Sequence, residues 1–194
     1  MSTADGTVLG NTQIYGGAPR NRAFNVVLLA DGFTATQQNA FDTACTSFVN
    51  AFIGTPPFDE LGPAINIFRV NVTSTDSGAD DPVAGGGTGV TARTYFDSSF
   101  GGNNIRRLLL CNNTTALQVA AAQVPEFTVV LVVVNSTIYG GSGGGVGTYS
   151  LANGATEIGI HEMDHTAFGL ADEYAYYAGG NETGHDHHPA GEPS

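Results

Sequence analysis

A chain of 194 residues with 41% hydrophobic content is long enough to bury one sizeable core and falls in the size range of a single domain. Its formal charge of -12, from 18 acids against six arginines and no lysine, argues against binding a phosphate backbone, where affinity comes from clustered Lys and Arg. The longest apolar run, Phe127 to Val134, is far short of the ~20 residues a membrane helix needs, so no membrane span is expected.

From the N-terminus, Met1 to Gly10 has neither the basic nor the apolar region of a secretory signal. Phe24 to Ala30 reads as a buried strand that turns at Asp31-Gly32. From Thr36 to Ile53, apolar residues recur at three- and four-residue spacing, which predicts a helix stopped by Thr55-Pro56-Pro57. Ile65 to Val72 alternates as a strand with one buried face does. Thr73 to Val90 has no apolar period and reads as a long surface loop. Its acids Asp76, Asp80 and Asp81 are candidate Ca2+ ligands, but they lack EF-hand spacing, which favours solvated acids. Asn104 to Val124 reads as helical with a break near Asn112-Asn113. Cys45 and Cys111 both fall in stretches read as helix, as two buried thiols or, alternatively, one disulfide.

Phe127 to Val134 is the expected centre of the sheet. The order of strands and helices predicts an α/β layered domain with a mostly parallel sheet. Tyr139 to Gly147 holds six glycines but no Gly-Lys-Ser/Thr, so it is not a phosphate loop. It reads as a flexible hairpin or edge segment; the alternative is an edge strand contacting substrate through Tyr139, Gly140 and Gly141. Ala178 to Ser194 is an irregular polar tail, which suggests a single catalytic domain, 1–194, truncated at its C-terminus.

The chemistry gathers between Ala155 and Phe168. On a helix, His161 and His165 lie one turn apart on one face, close enough for both imidazoles to reach one ion. Glu162 is offset by about 100° and stands beside the metal, where a carboxylate takes a proton from an activated water. Zinc needs a third protein ligand and keeps its fourth position for water or substrate. Gly169 can end the helix left-handed and return the chain toward the ion. Asp172 and Glu173 follow; Asp172 is favoured because its shorter side chain holds a ligand more rigidly. Tyr174 and His185 are candidates to stabilise the transition state, and His185, His187 and His188 otherwise belong to a solvated tail.

His161 to Tyr174, HEMDHTAFGLADEY, resembles the IgA-peptidase family of zinc metallopeptidases, with signature HExxHxxxGxxDE. Ala30-Asp31-Gly32-Phe33 resembles the family's GDG-aromatic turn, and Pro57-Phe58, Asn66 to Val70, Ser74 to Asp80, Asn135 and Tyr139-Gly140-Gly141 follow in the family's order. The resemblance implies a metzincin-like catalytic domain with a twisted sheet, an edge strand over a cleft and the HExxH helix beneath. It also implies secretion, a protein or peptide substrate, one Zn2+ on His161, His165 and Asp172, and Glu162 as general base. The only methionines are Met1 and Met163, so no methionine turn follows the third ligand. The rival reading is a non-catalytic, metal-stabilised extracellular binding module.

Overall fold

The computed structural model describes residues 3–170. Along the chain run β1 (Gly6–Tyr15), β2 (Phe24–Asp31), α1 (Gln38–Ile53), the short α2 (Phe58–Leu61), β3 (Ile65–Ser74), α3 (Asn113–Gln123), β4 (Val129–Val134), β5 (Gly141–Ser142), β6 (Gly147–Ser150) and α4 (Ala155–Phe168). The strands make one sheet in the order β1-β3-β2-β4-β6-β5. β3, β2, β4 and β6 run parallel, while β1 and β5 pair antiparallel with their neighbours. This is the mostly parallel α/β sheet the sequence predicts.

β2 and β4 form the central pair, and β4 is buried along its whole length. Strands covered on both faces read as continuous apolar runs, which is why both were legible. α1 and α4 pack on each other and against the sheet, with Phe41, Cys45, Phe48 and Phe52 of α1 buried at helical spacing. α3 packs against β1, β2 and β4; the right-handed rule for parallel crossovers puts it on the opposite face.

Two expectations need correction, and one strand was not foreseen. Residues 105–112 are not helical: Ser99 pairs with Leu110 and Leu108 with Gly141 as isolated bridges, and the helix begins only at Asn113, capped by the Asn112 side chain. Cys111 therefore lies outside any helix and is half-buried, Cys45 is fully buried, and both are free thiols, so no disulfide joins them. β1 carries no predicted element, yet it pairs along β3 with two register shifts.

The chain steps from β2 to β3 on one side and then back across to β4 on the other. Open α/β sheets usually bind ligands beyond the strand ends at such a reversal. Here that crevice is filled by the protein itself. Asp31, fully buried, accepts hydrogen bonds from the Phe96 amide (3.0 Å), the Ser98 amide (3.2 Å) and the Ser74 hydroxyl (3.3 Å). Burial raises the Asp31 carboxyl above its ordinary value despite these donors. Asn135 donates to the Gly32 carbonyl (3.0 Å) and the Ser77 hydroxyl (3.1 Å). Gly32 has φ +71, and a Cβ there would lie 2.0 Å from the Gly78 carbonyl oxygen.

Candidate metal centre

α4 buries Ile158, Gly159, Glu162 and Met163 on one face. Gly159 lets the helix pack closely: a Cβ there would meet the Tyr149 ring of β6 at 3.1 Å and the Phe48 ring of α1 at 3.2 Å. The helix ends at Gly169, left-handed with φ 65, whose N–H bonds the His165 carbonyl at 3.1 Å. The glycine stop expected from the sequence is present.

His161 and His165 face each other, with ring centroids 4.4 Å apart, planes at 81° and Nε2 atoms 2.9 Å apart. His165 Nδ1 donates to the Leu170 carbonyl at 2.5 Å. A proton held at Nδ1 leaves Nε2 of the neutral ring with its lone pair directed at the neighbouring imidazole. The same contact shows that the chain has turned back beside His165 by residue 170. Asp172, Glu173, Tyr174, His185, His187 and His188 lie outside the described residues.

Among the described residues, His161, Glu162 and His165 form the one group of three potential ligands, with candidate atoms within 4.8 Å of one another. Two imidazoles and a carboxylate suit zinc. Tetrahedral zinc with nitrogen bonds of ~2.0–2.1 Å holds its nitrogens roughly 3.3 Å apart, so the pair would open by about 0.4 Å to take the ion. Glu162 is buried at 9% exposure and its carboxylate lies against β5, where a Cβ on Gly141 would come within 2.6 Å of Oε1. Between the two histidines, burial raises the Asp164 carboxyl above its ordinary 3.8, against the pull of His161 and His165.

The glycine-rich hairpin explains itself through this helix. A Cβ on Gly143 would lie 2.3 Å from His165 Cβ, and one on Gly147 would lie 2.4 Å from Leu131 Cδ2 and 2.9 Å from Thr166 Oγ1. Of the six glycines only Gly144 has a positive φ. Close approach to α4 and to its neighbours in the sheet, rather than unusual backbone angles, accounts for most of them.

Between the hairpin and α4 opens a cleft of about 420 Å³, walled by Tyr139, Gly141 and Arg107 on one side and by Ile158, His161 and Glu162 on the other. Tyr139 is 58% exposed at its mouth. Gly141 donates its N–H to the Arg107 carbonyl (3.1 Å) and accepts from the Leu109 amide (3.3 Å), and Gly140 accepts from the Ser150 amide (3.1 Å). Both main-chain groups of Gly141 and the Gly140 carbonyl are thus already paired within the protein. Arg107 was not anticipated, because its stretch reads as helix.

A family model described as IgA Peptidase M64 matches residues 12–193. The chain belongs to this family. No curated protein matches it. The matched span takes in α4 and runs on through Asp172. Family membership makes the chain a peptidase with a protein substrate, of a metal-dependent class, and no feature of the site among the described residues favours a non-catalytic module.

The loop acids have other work. Asp76 pairs with Arg93 (2.7 Å), Asp80 accepts from the Ala92 amide (2.7 Å), and Asp81 is buried beside Arg106 (2.6 Å) and the Thr88 amide (2.9 Å). Burial alone would raise the Asp81 carboxyl, but Thr88 and Arg106 together hold it below its ordinary value. These acids pin the loop, Asp81 from a buried position and Asp76 through an exposed ion pair, and among the described residues they do not gather into a group able to share one ion. Met163 is buried in α4, and no helix among the described residues is long and apolar enough to cross a membrane.

Proposed function

We propose that this chain is the catalytic domain of a secreted, metzincin-like zinc endopeptidase in which His161 and His165 hold the ion, Asp172 completes the grip, with Glu173 as the alternative, and Glu162 is the general base. The observation that carries this reading is the pair of Nε2 atoms 2.9 Å apart with the Glu162 carboxylate in the same cleft wall. The return of the chain at Leu170, two residues before Asp172, supports a ligand there.

Bound at this site, zinc supplies Lewis-acid polarisation of a carbonyl and lowers the pKa of a water from 15.7 to about 7. The protein's own part is positional and protonic. The hydrogen bond from His165 Nδ1 to Leu170 keeps Nε2 a donor of its lone pair. Glu162, buried and pressed against Gly141, takes the proton of the attacking water and delivers it to the leaving amine nitrogen. Tyr174 and His185 are proposed to steady the oxyanion, and secretion rests on the family resemblance.

Glu162→Gln is expected to keep zinc and lose peptide hydrolysis by ~10²–10⁴-fold, the usual worth of a general base, while His161→Ala loses both. Metal content by mass spectrometry and cleavage of a peptide mixture, with and without chelator, read out both. Wild-type hydrolysis by Glu162→Gln would overturn the base assignment.

A further inference from the structure

We infer that Ser142 and Thr148 are positioning residues: from the face of the sheet opposite α4, their hydroxyls hold β5 and the 107–109 segment where Glu162 rests against them. The inference rests on the reading of Glu162 as the base.

β5 consists of two residues, Gly141 and Ser142, which pair with Tyr149 and Thr148 of β6. A ladder that short supplies few main-chain hydrogen bonds. On the α4 side the strand has no side chain with which to grip. Gly141 and Gly143 turn that way, where a Cβ would meet Glu162 Oε1 at 2.6 Å and His165 Cβ at 2.3 Å. The glycines that clear space for α4 therefore leave the position of β5 to be set from behind.

Successive side chains of a strand point to opposite faces. Ser142, between two glycines that face α4, points to the reverse face. Thr148 does the same, because Gly147 and Tyr149 on either side of it both approach α4. Behind the sheet, the Ser142 and Thr148 hydroxyls each lie 2.5 Å from the Leu109 carbonyl oxygen and 2.8 Å from each other. All three residues are buried. A carbonyl oxygen has two lone pairs and can accept both hydroxyl protons. The same Leu109 donates its N–H to the Gly141 carbonyl at 3.3 Å, and the Gly141 N–H bonds the Arg107 carbonyl at 3.1 Å. One carbonyl thus ties β6, β5 and the 107–109 segment together, one residue from the glycine that Glu162 lies against. A buried carbonyl stripped of its donors is costly, so the segment shifts to find new ones, and Gly141 passes that shift to the carboxylate.

The test compares two double variants of the zinc-loaded full chain at saturating zinc, below their melting temperatures. Ser142→Ala with Thr148→Val removes both hydroxyls, while valine keeps the volume of threonine. Ser142→Ala with Thr148→Ser keeps one hydroxyl and gives up a methyl group instead. A packing role makes the serine pair the worse enzyme; the proposed role makes the valine pair the worse. The valine pair is expected to lose ~10-fold or more in kcat, toward the ~10²-fold that a 1 Å misplacement costs, with little change in KM. The serine pair should stay within about threefold of wild type in kcat. Native-state hydrogen exchange reads the same contacts without hydrolysis: the Leu109 and Gly141 amides should exchange about tenfold faster in the valine pair and near the wild-type rate in the serine pair. Should the valine pair not fold, Thr148→Val against Thr148→Ser with Ser142 intact must give the same ordering at smaller size. If the wild type cleaves no peptide, the peptidase reading fails and the exchange rates alone decide whether the hydroxyls hold the wall. Equal kcat in the two variants, a lower kcat in the serine variant, or equal exchange rates overturns the inference.

Discussion

Gly143→Ala tests whether the hairpin sets the position of the metal helix. The added methyl carbon would lie 2.3 Å from His165 Cβ, 3.1 Å from its Cγ and 3.2 Å from the Glu162 carbonyl oxygen. Non-bonded carbons rest at ~3.5–4.0 Å, so the two elements must part by at least about 1.2 Å. His165 Cβ is fixed to the helix backbone and cannot swing aside as a side-chain tip does. If the hairpin yields, the cost is that of overpacking, ~1–3 kcal/mol. If the helix yields, the imidazole moves by an amount that typically costs ~10²-fold in a reaction, and zinc affinity is expected to fall ~10–100-fold, as for lost support around a ligand. Gly17→Ala is the control, since a Cβ there meets nothing within 4 Å. Chelator competition for zinc and thermal melting read both outcomes. A Gly143→Ala protein with wild-type zinc affinity and melting temperature would refute the claim that this contact positions His165.

Burial raises the Cys111 thiol from its ordinary 9.0 to about 12 and pushes Cys45 up as well, so at pH 8 Cys111 holds about a thousandfold less thiolate than a free cysteine. Iodoacetamide labelling followed by mass spectrometry should show both thiols unreactive when native and modified when unfolded; prompt native labelling of Cys45 would contradict its burial. The hydrogen bond and charge of Arg93 hold the Asp76 carboxyl at about 2, below its ordinary 3.8. Because the folded value is the lower one, this contribution is complete above the unfolded value and is lost as pH falls from about 4 to about 2. Carboxyl NMR titration should show this, and Arg93→Gln should return Asp76 toward 3.8. Asn66, fully buried, donates to the Ala18 carbonyl (2.9 Å) and Asn25 Oδ1 (3.0 Å) and accepts from the Ala18 amide (3.1 Å) and Gln13 (3.2 Å). Orphaning the buried Asn25 oxygen costs ~1–3 kcal/mol, while the part-buried Ala18 and Gln13 groups turn to water, so Asn66→Ala should lose about 1–3 kcal/mol in urea unfolding; a loss under about 0.5 kcal/mol would count against the network.

Legibility followed the range of the interactions involved. β2, β4 and α1 announce themselves because their burial is written locally, as apolar runs or as three- and four-residue spacing. The helix bearing His161, Glu162 and His165 was readable for a second reason: two candidate ligands one turn apart need no tertiary information. β1 was missed because GTVLGNTQIY contains no fully buried residue and gains its structure from β3, far along the chain. The stretch Leu108, Leu109 and Leu110 reads as helix for the same reason: Leu109 is buried where its amide bonds the distant Gly141 carbonyl, while Leu110, exposed, is held by pairing with Ser99.

That last error hid the wall of the cleft. The span from Arg107 to Leu110 lies between β5 and the 99–102 turn, and its hydrogen bonds to Gly141 carry Arg107 to the site. The hairpin glycines belong to the same constraint. A strand meant to lie against Glu162 and His165 on one side and to pair with 107–109 on the other has no room for side chains at 141 and 143. Composition alone shows those glycines as freedom; the packed helix shows them as clearance. The distinction has a mechanical consequence, because clearance at β5 lets Glu162, the proposed base, sit buried in a wall instead of swinging free in solvent. A carboxylate held in this way loses little further freedom when it takes a proton, which is the preorganisation a general base needs.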